Sequence, residues 1–176
     1  MWSLKLRIVL IFISLCILQS CGFQPLYGTH SASTTSHGLL SSVTVSPIKG
    51  RIGQIFKTTL EDTLNPSHTV AEQKYRLDVT LNTTQSSLAI QRDQTISRYQ
   101  IIVTANYTLT DIATNTTVRK GKLERESGYD RITSPYATFV SENAATNNAL
   151  KALAQDLSFL TTSSVIGYDA KKTGKP

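Results

Sequence analysis

Apolar positions along the chain fall into three patterns. Residues 8–18 form a nearly unbroken run, Ile-Val-Leu-Ile-Phe-Ile-Ser-Leu-Cys-Ile-Leu. Val43-Thr44-Val45-Ser46-Pro47-Ile48 alternates instead, and Pro47, which lacks a backbone donor, confines this short strand to an edge or an end. Ile52, Ile55, Phe56, Leu60 and Leu64 then recur at helical spacing, with Lys57, Glu61 and Asp62 on the other side. Asn65-Pro66 stops that amphipathic helix. Tyr75, Leu77, Val79 and Leu81 alternate with Lys74, Arg76, Asp78 and Thr80, which predicts a strand with one buried face. Leu88 and Ile90 stand at even numbers, so a bulge or bend must fall between the two phases. Tyr99, Ile101, Val103, Ala105, Tyr107 and Leu109 give the clearest period of two in the chain. Residues 111–116 supply a turn, and Thr117 to Arg125 returns as another strand. Ser134 and Pro135 suit the cap and first position of a last helix, whose apolar stripe is Phe139, Val140, Ala144, Leu150, Leu153, Ala154, Leu157 and Leu160. The order β-α-β-β-β-α predicts an α+β fold: a mostly antiparallel four-stranded sheet with two helices packed on one face.

The first run is an address rather than part of that fold. Lys5 and Arg7 precede it with no acidic residue. Its eleven residues span roughly 16 Å as a helix, about half the hydrocarbon thickness of a bilayer. A basic start and a short apolar core describe a signal peptide. The run ends Leu18-Gln19-Ser20-Cys21, which resembles a bacterial lipobox, with Leu three residues before Cys and a small residue next to it. Cleavage after Ser20 would leave Cys21 to carry a diacylglycerol on sulfur and an acyl group on its new amine. Two or three acyl chains, at about 0.8 kcal/mol per buried methylene, hold a bilayer far more firmly than one. The alternatives are a secreted protein whose Cys21 is an ordinary thiol, or an uncleaved helical anchor. The expected organisation is a signal peptide over 1–20, a lipidated N-terminus and flexible tether over 21–42, one domain over 43–169 and a loose basic tail over 170–176.

Composition narrows the chemistry. The chain has 176 residues, 18 Lys+Arg and 12 Asp+Glu; losing residues 1–20 removes two bases and no acid, so the formal charge falls from +6 to +4. Only two cysteines exist, Cys16 in the leader and Cys21 at the acylation site, which leaves the domain neither disulfide nor thiol. His30 and His37 fall in the tether and His68 in a loop, with no pair at i, i+4, so a structural or catalytic zinc site has little support. No G-x-S-x-G elbow is present, and Gly50-Arg51-Ile52-Gly53 lacks the length and the Lys-Ser/Thr ending of a phosphate loop. No catalytic residue, metal or cofactor is expected: the chain reads as a non-enzyme.

One constellation carries chemistry. Arg92, Arg98, Arg119, Lys120, Lys122 and Arg125 come from two neighbouring strands and the turn before one of them. Strands lie about 4.8 Å apart, so alternate basic residues can form a patch that grips phosphates. Outside the cytoplasm the abundant phosphorylated anion is lipopolysaccharide (LPS) rather than nucleic acid. Arg92, Arg98, Arg119 and Lys122 are the candidate contacts, chosen on composition. The alternative is a solvated face that keeps an edge strand from aggregating.

Cys21-Gly22-Phe23-Gln24-Pro25-Leu26-Tyr27-Gly28 resembles the start of the LPS-assembly lipoprotein LptE family in its alphaproteobacterial form. The likeness extends, as a pattern, to the element order, to Gly128-Tyr129-Asp130 with Ser134-Pro135-Tyr136, and to the Ala/Asn/Leu-rich last helix. It implies an outer-membrane lipoprotein facing the periplasm, seated as a plug within the β-barrel LptD, binding LPS and helping its insertion into the outer leaflet. Gly22 is not the acidic second residue associated with inner-membrane retention. A second reading is a lipid-anchored pilot or chaperone of another outer-membrane machine, such as a secretin.

Overall fold

The computed structural model describes residues 40–90, 97–172 and 174. Cys21 and the leader, most of the tether, and Arg92 lie outside them. Among the described residues six elements follow in order: β1 (Val43–Val45), α1 (Gly50–Leu64), β2 (Tyr75–Ile90), β3 (Ser97–Asp111), β4 (Thr116–Arg131) and α2 (Pro135–Lys172). The strands stand in sequence order in one sheet. β1 runs parallel to β2, with Val43 opposite Tyr75 and Val45 opposite Leu77. The β2–β3 and β3–β4 pairs are antiparallel. α1 is the crossover between the parallel pair β1 and β2, and both helices cover one face of the sheet.

Period two decides which face is covered. Tyr75, Leu77, Val79, Ile101, Val103, Ala105, Tyr107 and Leu109 are buried beneath the helices, as the alternation requires. Phe56, Leu60 and Leu64 come down from α1, and Leu150, Leu153, Ala154, Leu157 and Val165 from α2, to complete one core. The change of phase in β2 is an irregularity of register between Ser87 and Ala89, where Leu88 has no partner.

Three expectations are adjusted. β4 continues six residues beyond Arg125, because Ser127, Tyr129 and Arg131 keep step with Ile101, Tyr99 and Ser97 of β3. Tyr129 is buried against the helices and stacks on Tyr99, so the strand retains an apolar anchor past its charged stretch. The stripe of α2 is buried only from Ala145 onward: Phe139 is 59% and Val140 47% exposed. α1 has 15 residues, or about 22 Å, against 38 in α2, so one end of α2 has no helix beside it to close over its side chains. Finally, α2 runs on to Lys172, three residues into the expected tail, because Lys172 Nζ reaches Asp111 Oδ2 at 3.1 Å.

Two local fittings set how the helices meet the sheet. Gly53 of α1 lies against the β1–α1 connection, where an added Cβ would come within 2.7 Å of Ile48 Cγ2 and 2.9 Å of its backbone carbonyl. Ser134 caps α2 as its sequence suggests, its backbone carbonyl accepting from Thr138 N at 3.0 Å and its hydroxyl from Ala137 N at 3.5 Å.

Candidate functional site: two faces of a basic strand

The register of β4 sorts the basic residues that sequence groups together. Arg119 stands opposite Leu109 and Arg125 opposite Val103, both core positions, so these two arginines lie on the helix side of the sheet. There they are used. Arg119 donates through Nε to the Tyr107 hydroxyl and through Nη1 to Ser164 Oγ of α2, each at 3.3 Å. Arg125 forms an ion pair with Asp156 of α2 at 2.5 Å. Together they tie the outer edge of the sheet to the long helix.

Lys120 and Lys122 stand opposite Thr108 and Asn106 and project from the other face, which no described element covers. Arg98 shares that face, opposite Asp130. It lies eight residues along β3 from Asn106, the partner of Lys122, a separation of about 26 Å at strand rise. Of the four candidate contacts, the structure therefore places Arg98 and Lys122 on one face but far apart, and Arg119 on the opposite face. Arg92 is outside the described residues. They do not converge on one patch.

The open face is balanced rather than basic. Along β2 to β4 it carries Arg76, Arg98, Lys120 and Lys122 against Asp78, Glu124, Glu126 and Asp130. Lys122 pairs with Glu124 at 3.1 Å and Arg76 with Asp78 at 3.7 Å, both in solvent. Glu126 accepts from Gln100 Nε2 at 2.5 Å. Between these charges the face is made of Thr80, Asn82, Thr84, Thr104, Asn106 and Thr108. Such a surface is hydrated and hydrogen-bonding all over, with Ile102 as its apolar exception.

A second constellation escaped sequence reasoning. Where β2, β3 and β4 end beside the start of α2, a cleft of about 480 Å³ is lined by Gln85, Tyr129, Arg131, Phe139 and Glu142, among others. Tyr99 and Tyr129 stack with centroids 5.8 Å apart, and the Arg131 guanidinium lies over Tyr99 at the same distance. Gln85 donates to the Tyr129 hydroxyl. Burial raises the Tyr129 phenol above its usual range, and the nearby Glu142 carboxylate adds to this. Ile132 and Tyr136 beside it are exposed. The signal was present as Tyr99 and Tyr129 in strand phase, but only the register makes them neighbours.

At the opposite end, Asp111 is almost wholly buried and accepts from Ala113 N at 2.9 Å and from Lys172 at 3.1 Å. The hydrogen bond from Lys172 lowers its carboxyl below the ordinary range against the opposing effect of burial, with the amides of Thr114 and Ala113 assisting. Tyr75 donates to Asp169, and burial first, then that carboxylate, raises its phenol. Among the described residues no group of acidic, histidine or cysteine side chains could hold a metal ion. No described helix is long and apolar enough to cross a membrane.

Comparison with known proteins bears on this arrangement. An uncharacterised protein of Rickettsia prowazekii, RP188, is 27% identical over 135 residues, covering 77% of this chain and 82% of its own length. A crystal structure described as that of a lipoprotein from Caulobacter crescentus CB15 superposes with a TM-score of 0.61 at 19% identity, over 76% of this chain and 98% of the other. A minor lipoprotein of Acinetobacter baumannii follows at 0.54 and 13%, over 69% and 90%. At those identities the structures establish a shared fold. The profile of the family described as LptE, lipopolysaccharide-assembly, matches residues 40–159. That span takes in β1, α1, the whole antiparallel sheet and most of α2, so the chain belongs to the LptE lipopolysaccharide-assembly family, lipoproteins of outer-membrane biogenesis.

Proposed function

We propose that this protein is a non-enzymatic subunit of the LPS-insertion machinery, anchored through acylated Cys21 on the periplasmic side of the outer membrane and seated within the LptD barrel. Family membership supports the setting. The observation that carries the seating is the sheet face that no described element covers: threonines, asparagines and balanced charges, with both described helices on the other side. A barrel lumen is polar and wet, and a protein packed into it gains by offering hydrogen-bonding groups rather than a dry apolar surface.

Within that reading, LPS phosphates meet the open-face cations Arg98 and Lys122 as separate points about 26 Å apart, not as one patch. Arg119 is committed to Tyr107 and Ser164 and belongs to the fold's own fastening. No partner nucleic acid is invoked, since the cations are interleaved with carboxylates along the same face.

The test is recovery of the protein from detergent-solubilised outer membranes. A large β-barrel in roughly equal amount supports the proposal; a secretin ring instead would favour a pilot or chaperone role. The anchor is checked separately. Cys21→Ala should release the domain from membranes, and retention after a high-salt wash would show that lipid is not what holds it.

A further inference from the structure

Two elements stop short at the same corner of the fold. β1 pairs with Tyr75 to Leu77 alone, whereas β2 runs on to Ile90. The hydrogen bonds from Tyr75 N to Ser42 O and from Ser46 N to Leu77 O show that odd-numbered residues of β2 aim their backbone groups at the β1 side. Even-numbered residues face β3. The N–H and C=O groups of Leu81, Thr83, Gln85 and Ser87 therefore point outward, and among the described residues no strand meets them. α1 is missing from the same place. On α2, Tyr136, Val140, Asn147, Ala154, Ser158 and Val165 form one row by helical spacing. Ala154, Ser158 and Val165 are buried, whereas Tyr136, Val140 and Asn147 are exposed, because α1 is too short to stand beside them.

The two edges of the sheet are also protected differently. β4 carries eight charged residues among its 16, the usual guard of an edge against stray pairing. From Val79 to Ile90, β2 carries neither charge nor proline in twelve residues, and its one irregularity comes after Ser87. A strand left bare along its open length is a template for an added strand, and the charges that would blunt it are spent on the other edge.

We infer that the stretch from Leu81 to Ser87 receives an extended strand of the barrel partner, laid in line with β1. The pairing rests on the seating proposed above and deepens it. The open sheet face meets the barrel wall, and the bare edge that borders this face takes a segment of the same partner. Leu81 and Thr83 stand opposite Ala105 and Val103, so they lie on the helix side. Alternate residues of the added strand turn to that side, between half-buried Leu81 and the exposed Tyr136 and Val140, and are apolar. The residues between them continue the face of threonines and asparagines and are polar without charge. Main-chain hydrogen bonds supply the affinity, and the apolar side chains fix the register.

The test is amide hydrogen exchange, read residue by residue, on the full chain in nonionic detergent, alone and with the barrel that the pull-down recovers. Asn82, Thr84 and Ser86 should exchange slowly in both, since their amides bond β3. The amides of Leu81, Thr83 and Gln85 should exchange freely in the chain alone and slow by about ten-fold or more in the complex. Thr83→Pro removes one outward donor and none that faces β3, so it should abolish the slowing at Leu81 and Gln85 while the barrel is still recovered. Thr83→Lys keeps every backbone donor but sets a charge on the apolar side of the added strand, and should do the same. Slow exchange at Asn82 and Thr84 shows that each variant is folded. Outward amides that stay fast in a recovered complex overturn the inference and leave the seating intact, as does slowing that both variants leave unchanged. Outward amides already slow in the chain alone also overturn it, since residues 21–39 or a second copy then hold the edge. Recovery of no barrel defeats the seating itself, and this pairing falls with it.

Discussion

Single residues in this fold are judged by what their neighbours leave them. Gly53 has no room for a side chain: its Cβ would press on the backbone of Ile48, which cannot rotate away. Gly53→Ala should therefore cost about 1–3 kcal/mol despite alanine's better helix propensity, read as a lower urea midpoint with unchanged slope. Thr161 is the opposite case. Its hydroxyl is buried in α2 and has no hydrogen-bond partner. Thr161→Val keeps the shape and removes the orphaned group, so it should raise stability by about 1 kcal/mol in the same assay. Neither position was legible beforehand. Glycine in a helical pattern and threonine in a threonine-rich chain carry no mark; only the packing partner distinguishes them.

Elements were easier to read than residues, and the reason is periodicity. Val103 to Leu109 alternates so regularly that strand, face and phase follow together, and the shift from Leu81 to Leu88 announced its bulge. Where apolar positions thin out, the reading stopped early, as at β4 after Arg125. The end of α2 shows a different limit. Lys171 and Lys172 looked like tail, yet Lys172 meets a carboxylate buried 61 residues away in sequence, at the β3–β4 turn. That contact fixes a pH response. The Asp111 carboxyl is lowered in the folded state, so its contribution is present above the unfolded value near 3.8 and is lost as pH falls through the lower folded value. Lys172 is raised, so its side of the pair holds below about 10.5 and is lost as pH rises through the folded value. Asp111→Ala should cost about 2–3 kcal/mol at neutral pH, since it also strands the amides of Ala113 and Thr114. The variant should lose part of the acid destabilisation expected of the parent below pH 4. An acid limb of the same depth in both proteins would show that Asp111 does not drive it.

At the largest scale, all of the covering among the described residues is on one face, and that asymmetry assigns separate work to residues of like charge on one strand. Sequence grouped the bases of β4 into one patch, but face follows from register with β3, which divides them between two faces. On the helix side, a guanidinium lost is a fastening lost between sheet edge and α2. Arg125→Glu turns an ion pair at 2.5 Å into facing carboxylates at Asp156, and should lower stability by about 1–2 kcal/mol. Arg119→Ala should cost about 1 kcal/mol through the hydrogen bonds to Tyr107 and Ser164. On the open side, Lys120→Glu and Lys122→Glu alter only solvent-exposed charge and should stay within about 0.5 kcal/mol of the parent. Urea unfolding measures all four. If the four variants cost the same, the division of β4 into a structural face and a solvent face is wrong. If the arginines alone weaken the fold, any loss of LPS binding on reversing Lys122 belongs to the surface and not to a damaged scaffold.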